Sequence, residues 1–260
     1  MKSYQELLKK IIRDGTERAD RTGVGTYSLF GEQFRHDMKD GFPLLTTKKM
    51  FFKGIVHELL WMLRGDTNIK YLNDNDVHIW DLFADENGDL GPVYGKQWRD
   101  FNNEGVDQIA NAIKLIQTDP FSRRILVVTG NPAQEKQMKL PPCPFLFQFY
   151  VDKSELSMHV YQRSCDFFLG GPFDLAQYAL LLSMAAAVTG KTPRRLIFSY
   201  GDVHLYKNHM NAARELLSRV PFSLPHLEIA AKDDIDEIEF GDIILTGYDS
   251  YPAIKADIAV

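Results

Sequence analysis

The spacing of apolar and polar positions predicts both helices and strands. Apolar side chains recur every three or four positions over residues 3–14, a period typical of an amphipathic helix. The same criterion predicts helices from Ile55 to Leu63 and from Gln108 to Gln117. A long apolar segment from Phe173 to Thr189, followed by Gly190, predicts a buried helix with a glycine after its last turn.

Runs of β-branched and aromatic residues predict the strands. Residues 124–129 form one such run and residues 195–200 another. Two more runs, at residues 145–151 and 156–162, are separated by a short polar segment, which predicts a hairpin. Helices and strands that interleave in this way, without an internal repeat, predict a single α+β domain over residues 1–260.

Composition narrows the possible functions. The chain has 260 residues, of which 45% are hydrophobic and 25% charged, as is usual for a soluble globular protein. Its net charge of −5 argues against general nucleic-acid binding, which depends on neutralising phosphates, but allows a small phosphate-bearing ligand. Two cysteines are too few for a disulfide scaffold, and no Cys/His cluster has zinc spacing.

The sequence also bears on location. The N-terminus is polar and lacks the apolar core of a signal peptide. The longest apolar stretch, residues 175–188, is shorter than a bilayer-spanning helix and contains polar side chains. We therefore expect a cytoplasmic protein with reduced thiols, no membrane partner and no metal.

Cys143 is a candidate nucleophile. A free cysteine is ordinarily a small buried hydrophobic residue, but Pro142 and Pro144 flank this one and prevent regular strand pairing. Cys165 is adjacent to Asp166, whose carboxylate disfavours a thiolate, and we interpret Cys165 as structural.

The hairpin predicts what lies opposite Cys143. If the turn centres between Lys153 and Ser154, Cys143 opposes Ser164, and a regular ladder places Arg163 on the other face. A β-bulge near the prolines would bring Arg163 to the sulfur. There it would lower the pKa of the thiol or bind a phosphate.

Glu58 is a carboxylate on an apolar helix face. At helical spacing it shares that face with Ile55 and Met62. Burial there would raise its pKa and suit proton transfer at neutral pH. The alternative is that Glu58 borders the apolar stripe and reaches solvent.

Motifs in one consistent order along nearly the whole chain resemble the thymidylate synthase family. They lie at residues 21–23, 42–48, 57–61, 65–68, 79–81, 91–95, 122–124, 140–143, 161–166, 170–177, 201–206 and 247–249. The resemblance implies one catalytic domain with a mixed β-sheet packed against helices. It also implies a homodimer with the sheet at its interface.

The resemblance implies a reaction as well. Cys143 would add to C6 of a pyrimidine nucleoside monophosphate, and C5 would then attack the one-carbon unit of 5,10-methylenetetrahydrofolate, the co-substrate. The catalytic residues would be Cys143, Glu58, Tyr94 and Asp174. The nucleotide would be bound by Arg21, Arg123, Arg124, Arg163, Gln162, Ser164, Asp166, His204 and Tyr206. The folate would be bound by Trp80, Asp166, Gly170 and Val260. Arg123 and Arg124 would reach the site of the second subunit, and the C-terminal tail 254–260 would close over the folate.

The chain departs from the family at the position that reads the base. Asp174 stands where thymidylate synthase has Asn, and Pro144 where it usually has His. The deoxycytidylate hydroxymethylases, relatives of thymidylate synthase, share both departures, which favours a cytosine nucleotide. A plain helix N-terminal carboxylate, stabilised by the helix dipole, is the alternative for Asp174.

The nature of the product is a separate question. Trp80 and the tail favour a closed site and a methyl product, whereas Phe83, Gly130 and Pro144, which replace Trp, Trp and His, favour entry of water. We predict conversion of dCMP to 5-hydroxymethyl-dCMP. The alternatives are thymidylate synthase acting on dUMP, a methyl- or hydroxymethyltransferase with another cytosine nucleotide or product, and a non-catalytic nucleotide- or RNA-binding protein.

Overall fold

A computed structural model describes residues 1–258 of the chain. The amphipathic segments form helices, and the apolar face of the first one buries Tyr4, Leu8 and Ile11. The helices are α1 (Lys2–Asp14), α2 (Phe52–Leu63), α3 (Lys70–Asp74), α4 (Gly95–Arg99), α5 (Gln108–Thr118), α6 (Gly170–Val188) and α7 (Met210–Ser218). The four helices predicted from the sequence are therefore confirmed, although α2 and α6 each begin three residues earlier than expected.

The strands form one large mixed sheet and a small ribbon. They are β1 (Thr16–Arg18), β2 (Thr26–Phe30), β3 (Gln33–Asp37), β4 (Leu126–Val128), β5 (Pro144–Asp152), β6 (Glu155–Asp166), β7 (Thr192–Tyr206), β8 (His226–Ile229) and β9 (Ile243–Thr246). Seven strands join in the order β1-β2-β7-β6-β5-β4, with β3 also paired to β7, while β8 pairs with β9. Only the β6–β7 pair is parallel among these pairings. This confirms a single α+β domain with a mixed sheet.

Three strands differ from the prediction by more than one residue at an end, and one of them is β6, which continues past residue 162 to Asp166. β4 is shorter than residues 124–129, whereas β7 continues past Tyr200 to Tyr206. The predicted strand ends at Tyr200 because the next two residues, Gly201 and Asp202, are uncommon in strands. The segment after Tyr200 pairs on both sides, with β2 and β6, and this tertiary pairing overrides its weak local β-propensity.

Helix α6 forms the centre of the core. It packs against β6, β7 and α2, and apolar side chains surround it on all sides. With 19 residues it is long and apolar enough to cross a bilayer, unlike the shorter stretch expected from the sequence, but 83% of its apolar window is buried inside the protein. It is therefore a core helix, and its buried faces point side chains toward both the sheet and α2.

Candidate active site

A β-bulge places Cys143 opposite Arg163. The β5–β6 register pairs Leu146 with Tyr161, as predicted, but then shifts so that Pro144 pairs with Gln162. The extra residue is Phe145, whose carbonyl accepts hydrogen bonds from two neighbouring backbone N–H groups. The Arg163 N–H consequently donates to the Cys143 carbonyl at 2.9 Å. The expected bulge is confirmed, and it exchanges Ser164 for Arg163 as the partner of the cysteine.

The Arg163 guanidinium lies against the loop that carries the thiol. Its Nε donates to the Pro142 carbonyl at 2.9 Å and its Nη2 to the Pro141 carbonyl at 2.8 Å. Its charge favours the thiolate, but burial and the charge of Asp174 oppose it, so that the pKa of Cys143 is raised overall. Arg163 does act to lower this pKa, as predicted, but desolvation of the sulfur outweighs the arginine in the unliganded protein.

Tyr94 reaches the same cysteine from the other side. Its hydroxyl accepts from the Cys143 N–H at 3.5 Å. Its backbone has φ of 29° and ψ of −94°, a conformation that costs free energy in a non-glycine residue and occurs most often at functional sites. Burial raises the pKa of the Tyr94 hydroxyl well above its usual value, and the nearby Cys143 and Asp174 add to the rise. Tyr94 therefore holds a neutral hydroxyl beside Cys143.

Glu58 does not reach solvent freely, and each of its two carboxyl oxygens accepts a hydrogen bond from another side chain. Trp80 Nε1 donates to its Oε1 at 2.7 Å, and Gln177 Nε2 donates to its Oε2 at 2.8 Å. Burial and the charge of Asp174 together raise the pKa of Glu58 to about 7, against the two hydrogen bonds, which lower it. The carboxyl is thus half-ionised near neutral pH, which is the condition for moving protons in either direction.

Asp174 occupies the centre of the site. Helix α6 begins at Gly170, and its first turn contains no acidic residue. Asp174 lies after that turn, too far along the helix to be explained as an N-terminal carboxylate. The explanation by the helix dipole was therefore wrong. Gln162 Nε2 donates to Asp174 Oδ2 at 2.6 Å, while the Gln162 Oε1 is buried without a hydrogen-bond partner among residues 1–258. Burial raises the pKa of Asp174 to about 7, against the hydrogen bond from Gln162.

The β6–β7 pairing aligns a row of polar side chains near Cys143. Ser164 pairs with Asp202, and Asp166 pairs with His204. The His204 ring contacts Asp202 through Nδ1 at 2.8 Å and meets the Tyr206 ring edge-on at 5.2 Å.

Arg21 approaches this row from the loop between β1 and β2. It is exposed, yet its charge acts on the Cys143 thiol. Cationic, hydroxyl and imidazole groups together suit a sugar phosphate.

Aromatic residues line the opposite side. Trp80 meets Phe83 and Tyr94 edge-on, each at 5.7 Å between ring centroids. Asp166 Oδ1 accepts from the N–H groups of Phe168 and Leu169 at 3.0 and 3.2 Å and so fixes the start of α6.

The folate-binding prediction also names residues at the helix start and at the chain end. Gly170 is exposed, with open space above its α-carbon. The tail lies close to α7, where His209 Nε2 contacts the Asp257 carbonyl at 2.7 Å. Val260 lies outside the described residues.

Arg123 and Arg124 do not join the site of their own chain. Both are exposed on the turn before β4, and the cations that act on Cys143 are Arg163 and Arg21. β4 ends the large sheet, two strands from β6.

Three features of the site were not predicted. Gln177 donates to Glu58; its spacing of three residues from Asp174 indicates only that the two side chains share a side of the helix. Lys48 is buried, with its Nζ 2.5 Å from the Phe168 carbonyl and its pKa lowered to about 8 by burial. A Cβ at Gly130 would collide with the Phe145 ring. The last two depend on packing between distant segments and leave no local signal.

No group of three or more His, Cys, Asp or Glu side chains within residues 1–258 is arranged to hold a metal ion. The site instead combines a thiol, two carboxyls with raised pKa values and several cations, a set suited to nucleophilic and proton-transfer chemistry on an anionic ligand. A family model described as thymidylate synthase matches residues 2–260.

Proposed function

The chain belongs to the thymidylate synthase family, and from this premise we propose that it transfers a one-carbon unit to C5 of dCMP, giving 5-hydroxymethyl-dCMP. The family carries out folate-dependent one-carbon transfer to C5 of a pyrimidine nucleotide, with methylenetetrahydrofolate as co-substrate. Cytosine as the base and hydroxymethyl as the product are the specific parts of the proposal.

The observation that carries the choice of base is the side chain of Asp174. Uracil presents a donor at N3 and an acceptor at O4, whereas cytosine presents an acceptor at N3 and a donor at the 4-amino group. An ionised carboxylate only accepts, so it matches the amino group and repels O4. A protonated Asp174 can donate to N3 while its other oxygen accepts from the amine.

The protonation state of Asp174 supports the second arrangement. A pKa of about 7 leaves much of the carboxyl protonated at neutral pH. Gln162 donates to Oδ2, so the proton belongs on Oδ1, which remains to face the base. A proton donated to N3 also stabilises the negative charge that develops on the ring when a thiolate adds at C6.

In this proposal Cys143 is the nucleophile, and Glu58 and Tyr94 transfer protons. Cys143 forms the bond to C6, and the C5 proton must leave before the base is released. Glu58 titrates near neutral pH, and Tyr94 contacts the cysteine backbone. Bound phosphate, held by Arg163, would orient the ring above the sulfur.

The replacement of bulky or polar side chains supports the hydroxymethyl product. Phe83, Gly130 and Pro144 stand where the family usually has Trp, Trp and His, and these changes rewire the lining in a way that favours capture of water by the exocyclic methylene and release of tetrahydrofolate. The Phe145 ring fills the space beside Gly130, so Phe83 and Pro144 carry this argument. The enclosed position of Trp80, which is 7% exposed, favours the second candidate, a methyl product with dihydrofolate.

The homodimer is part of the same proposal. Leu126, Tyr150 and Tyr161 are 40, 68 and 40% exposed, and the strand register puts them on one face of the sheet. An aromatic and aliphatic face of this kind is typical of an obligate subunit interface. A partner on this face would bring Arg123 and Arg124 to the other subunit's phosphate, completing a nucleotide site formed with Arg21, Ser164, His204 and Tyr206. We also propose a cytoplasmic location.

Tritium release tests the choice of base and product. The protein and methylenetetrahydrofolate are incubated with dCMP, CMP or dUMP labelled with tritium at C5, and tritiated water is followed together with dihydrofolate absorbance. We expect release from dCMP without dihydrofolate. Preferential release from dUMP would contradict the cytosine proposal, and stoichiometric dihydrofolate would establish a methyl product.

Subunit mixing tests the role of the two arginines. Cys143→Ser lacks the nucleophile, and Arg123→Ala/Arg124→Ala lacks the arginines, so neither homodimer should be active. If the arginines act across the interface, mixed dimers contain one intact site, and random mixing should restore about a quarter of the wild-type activity. Mixtures that stay inactive would show that the arginines serve their own subunit.

A further inference from the structure

Gln177 lies on α6, three residues after Asp174, and points toward α2. It is 4% exposed, and its Nε2 donates to Glu58 Oε2 at 2.8 Å. The second oxygen, Oε1, accepts from Trp80 at 2.7 Å. Each oxygen of Glu58 therefore has one N–H donor, and the two donors come from different segments of the chain.

We propose that Gln177 is a positioning residue for Glu58, which fixes the orientation of the carboxyl and stabilises its ionised form during proton transfer. This inference rests on the proposed function, because that function gives Glu58 its role. An amide inside an apolar helix costs free energy unless it is hydrogen-bonded. The neighbouring buried positions of α6 are almost entirely apolar, so Gln177 is better explained by Glu58 than by the needs of the core.

The groups that face Glu58 determine the direction of the effect. Asp174 and Tyr178 approach it from α6, and Trp80 from the segment between α3 and α4. Burial and the negative charge of Asp174 raise the pKa of Glu58, and the donors Trp80 and Gln177 oppose them. Removing the Gln177 donor leaves the first two effects less opposed, so the pKa of Glu58 must rise.

Gln177→Met is the sharpest variant, because methionine has the same length but no N–H donor. We expect the titration of Glu58 to move upward by about one unit, the effect of losing one hydrogen bond to a charged group. Gln177→Glu is the second variant, and a second carboxyl beside Glu58 should move the titration further in the same direction.

A matched control comes from the same helix. Ser183 is buried, and its Oγ donates to the Ala179 carbonyl at 2.8 Å, away from Glu58. Ser183→Ala should leave the titration of Glu58 unchanged, so a general disturbance of α6 can be separated from the loss of a donor.

Two measurements are made on each variant. The first is the ¹³C shift of the Glu58 side-chain carboxyl against pH in the unliganded protein, assigned with Glu58→Gln. The second is kcat against pH for the nucleotide that the protein turns over, where the limb abolished in Glu58→Gln should move with the ¹³C midpoint. An unchanged midpoint in both Gln177 variants, or an equal loss of kcat at every pH, overturns the proposal.

The ¹³C titration needs no substrate, so the two proposals fail separately. A moved midpoint in a protein that uses only dUMP contradicts the cytosine proposal and supports the role of Gln177. An unmoved midpoint in a protein that uses dCMP supports the cytosine proposal and contradicts the role of Gln177.

Discussion

Replacing Asp174 by Asn should make the unliganded protein more stable at alkaline pH. Burial raises the pKa of Asp174 from 3.8 to about 7, so the folded state holds a proton over a range in which the unfolded chain has lost it. An acid whose pKa is raised on folding favours the folded state below that range, and this contribution declines as the pH rises through the range. Asn cannot ionise and escapes the decline.

The size of the effect follows from the pKa difference. The folded state holds the extra proton between the unfolded pKa of 3.8 and the folded pKa of about 7. An experiment from pH 5 to pH 8 covers roughly two pH units of this range, and at about 1.4 kcal/mol per unit the wild type loses about 3 kcal/mol of unfolding free energy. Asp174 is only half-buried, and water reduces the value, so we expect Asn to gain about 1–3 kcal/mol relative to the wild type over this interval. The neighbouring Glu58 should add to the gain, because the charge of Asp174 raises its pKa.

Urea unfolding at pH 5 and pH 8 measures this gain. The midpoints are compared at one protein concentration, because the stability of a dimer depends on concentration. Asp242→Asn is the matched control, since a hydrogen bond from the Glu239 N–H lowers the pKa of that carboxyl, and its replacement should bring no gain at pH 8. If Asp174→Asn changes the free energy of unfolding equally at both pH values, the inferred pKa of Asp174 is wrong.

The remaining predictions concern activity and packing. Asp174→Asn should shift the ratio of dCMP to dUMP turnover toward dUMP by about a hundredfold or more, because donor and acceptor are exchanged in two hydrogen bonds to the base. Competition between labelled nucleotides measures this ratio, and an unchanged ratio would refute the base-reading role. Cys143→Ser should reduce tritium release by about a thousandfold or more yet still bind the nucleotide by calorimetry, whereas full biological activity in this variant would favour a non-catalytic protein. Gly130→Ala should destabilise the fold by about 1–3 kcal/mol, because its Cβ would meet the Phe145 ring; in thermal unfolding, Phe145→Ala should relieve this loss, and simple additivity of the two changes would exclude the contact.

The sequence predicted the features that local pattern controls. The register of the β5–β6 hairpin follows from alternation and the turn, and the prolines around Cys143 indicated the bulge. The turn itself is shorter than expected, since Asp152 pairs with Glu155 and Lys153 takes a φ of 56°.

Contacts between distant segments were not predictable in this way. The sequence marked Glu58 as a buried acid, but it could not show that Gln177, 119 positions away, would donate to it. The net shift of the Cys143 pKa was not predictable from the sequence either, because it is the balance of burial, Arg163 and Asp174. Such balances depend on how α2, α6 and the sheet pack, which no single segment encodes.

The bulge at Phe145 makes the position of the Cys143 sulfur depend on how many residues the strand contains. One residue more or fewer between the hairpin turn and Cys143 would turn the sulfur to the opposite face of the sheet, away from Arg163, whatever side chains were kept. Insertions and deletions in β5 should therefore be far less tolerated than substitutions of Phe145, and a library that varies strand length should separate the two.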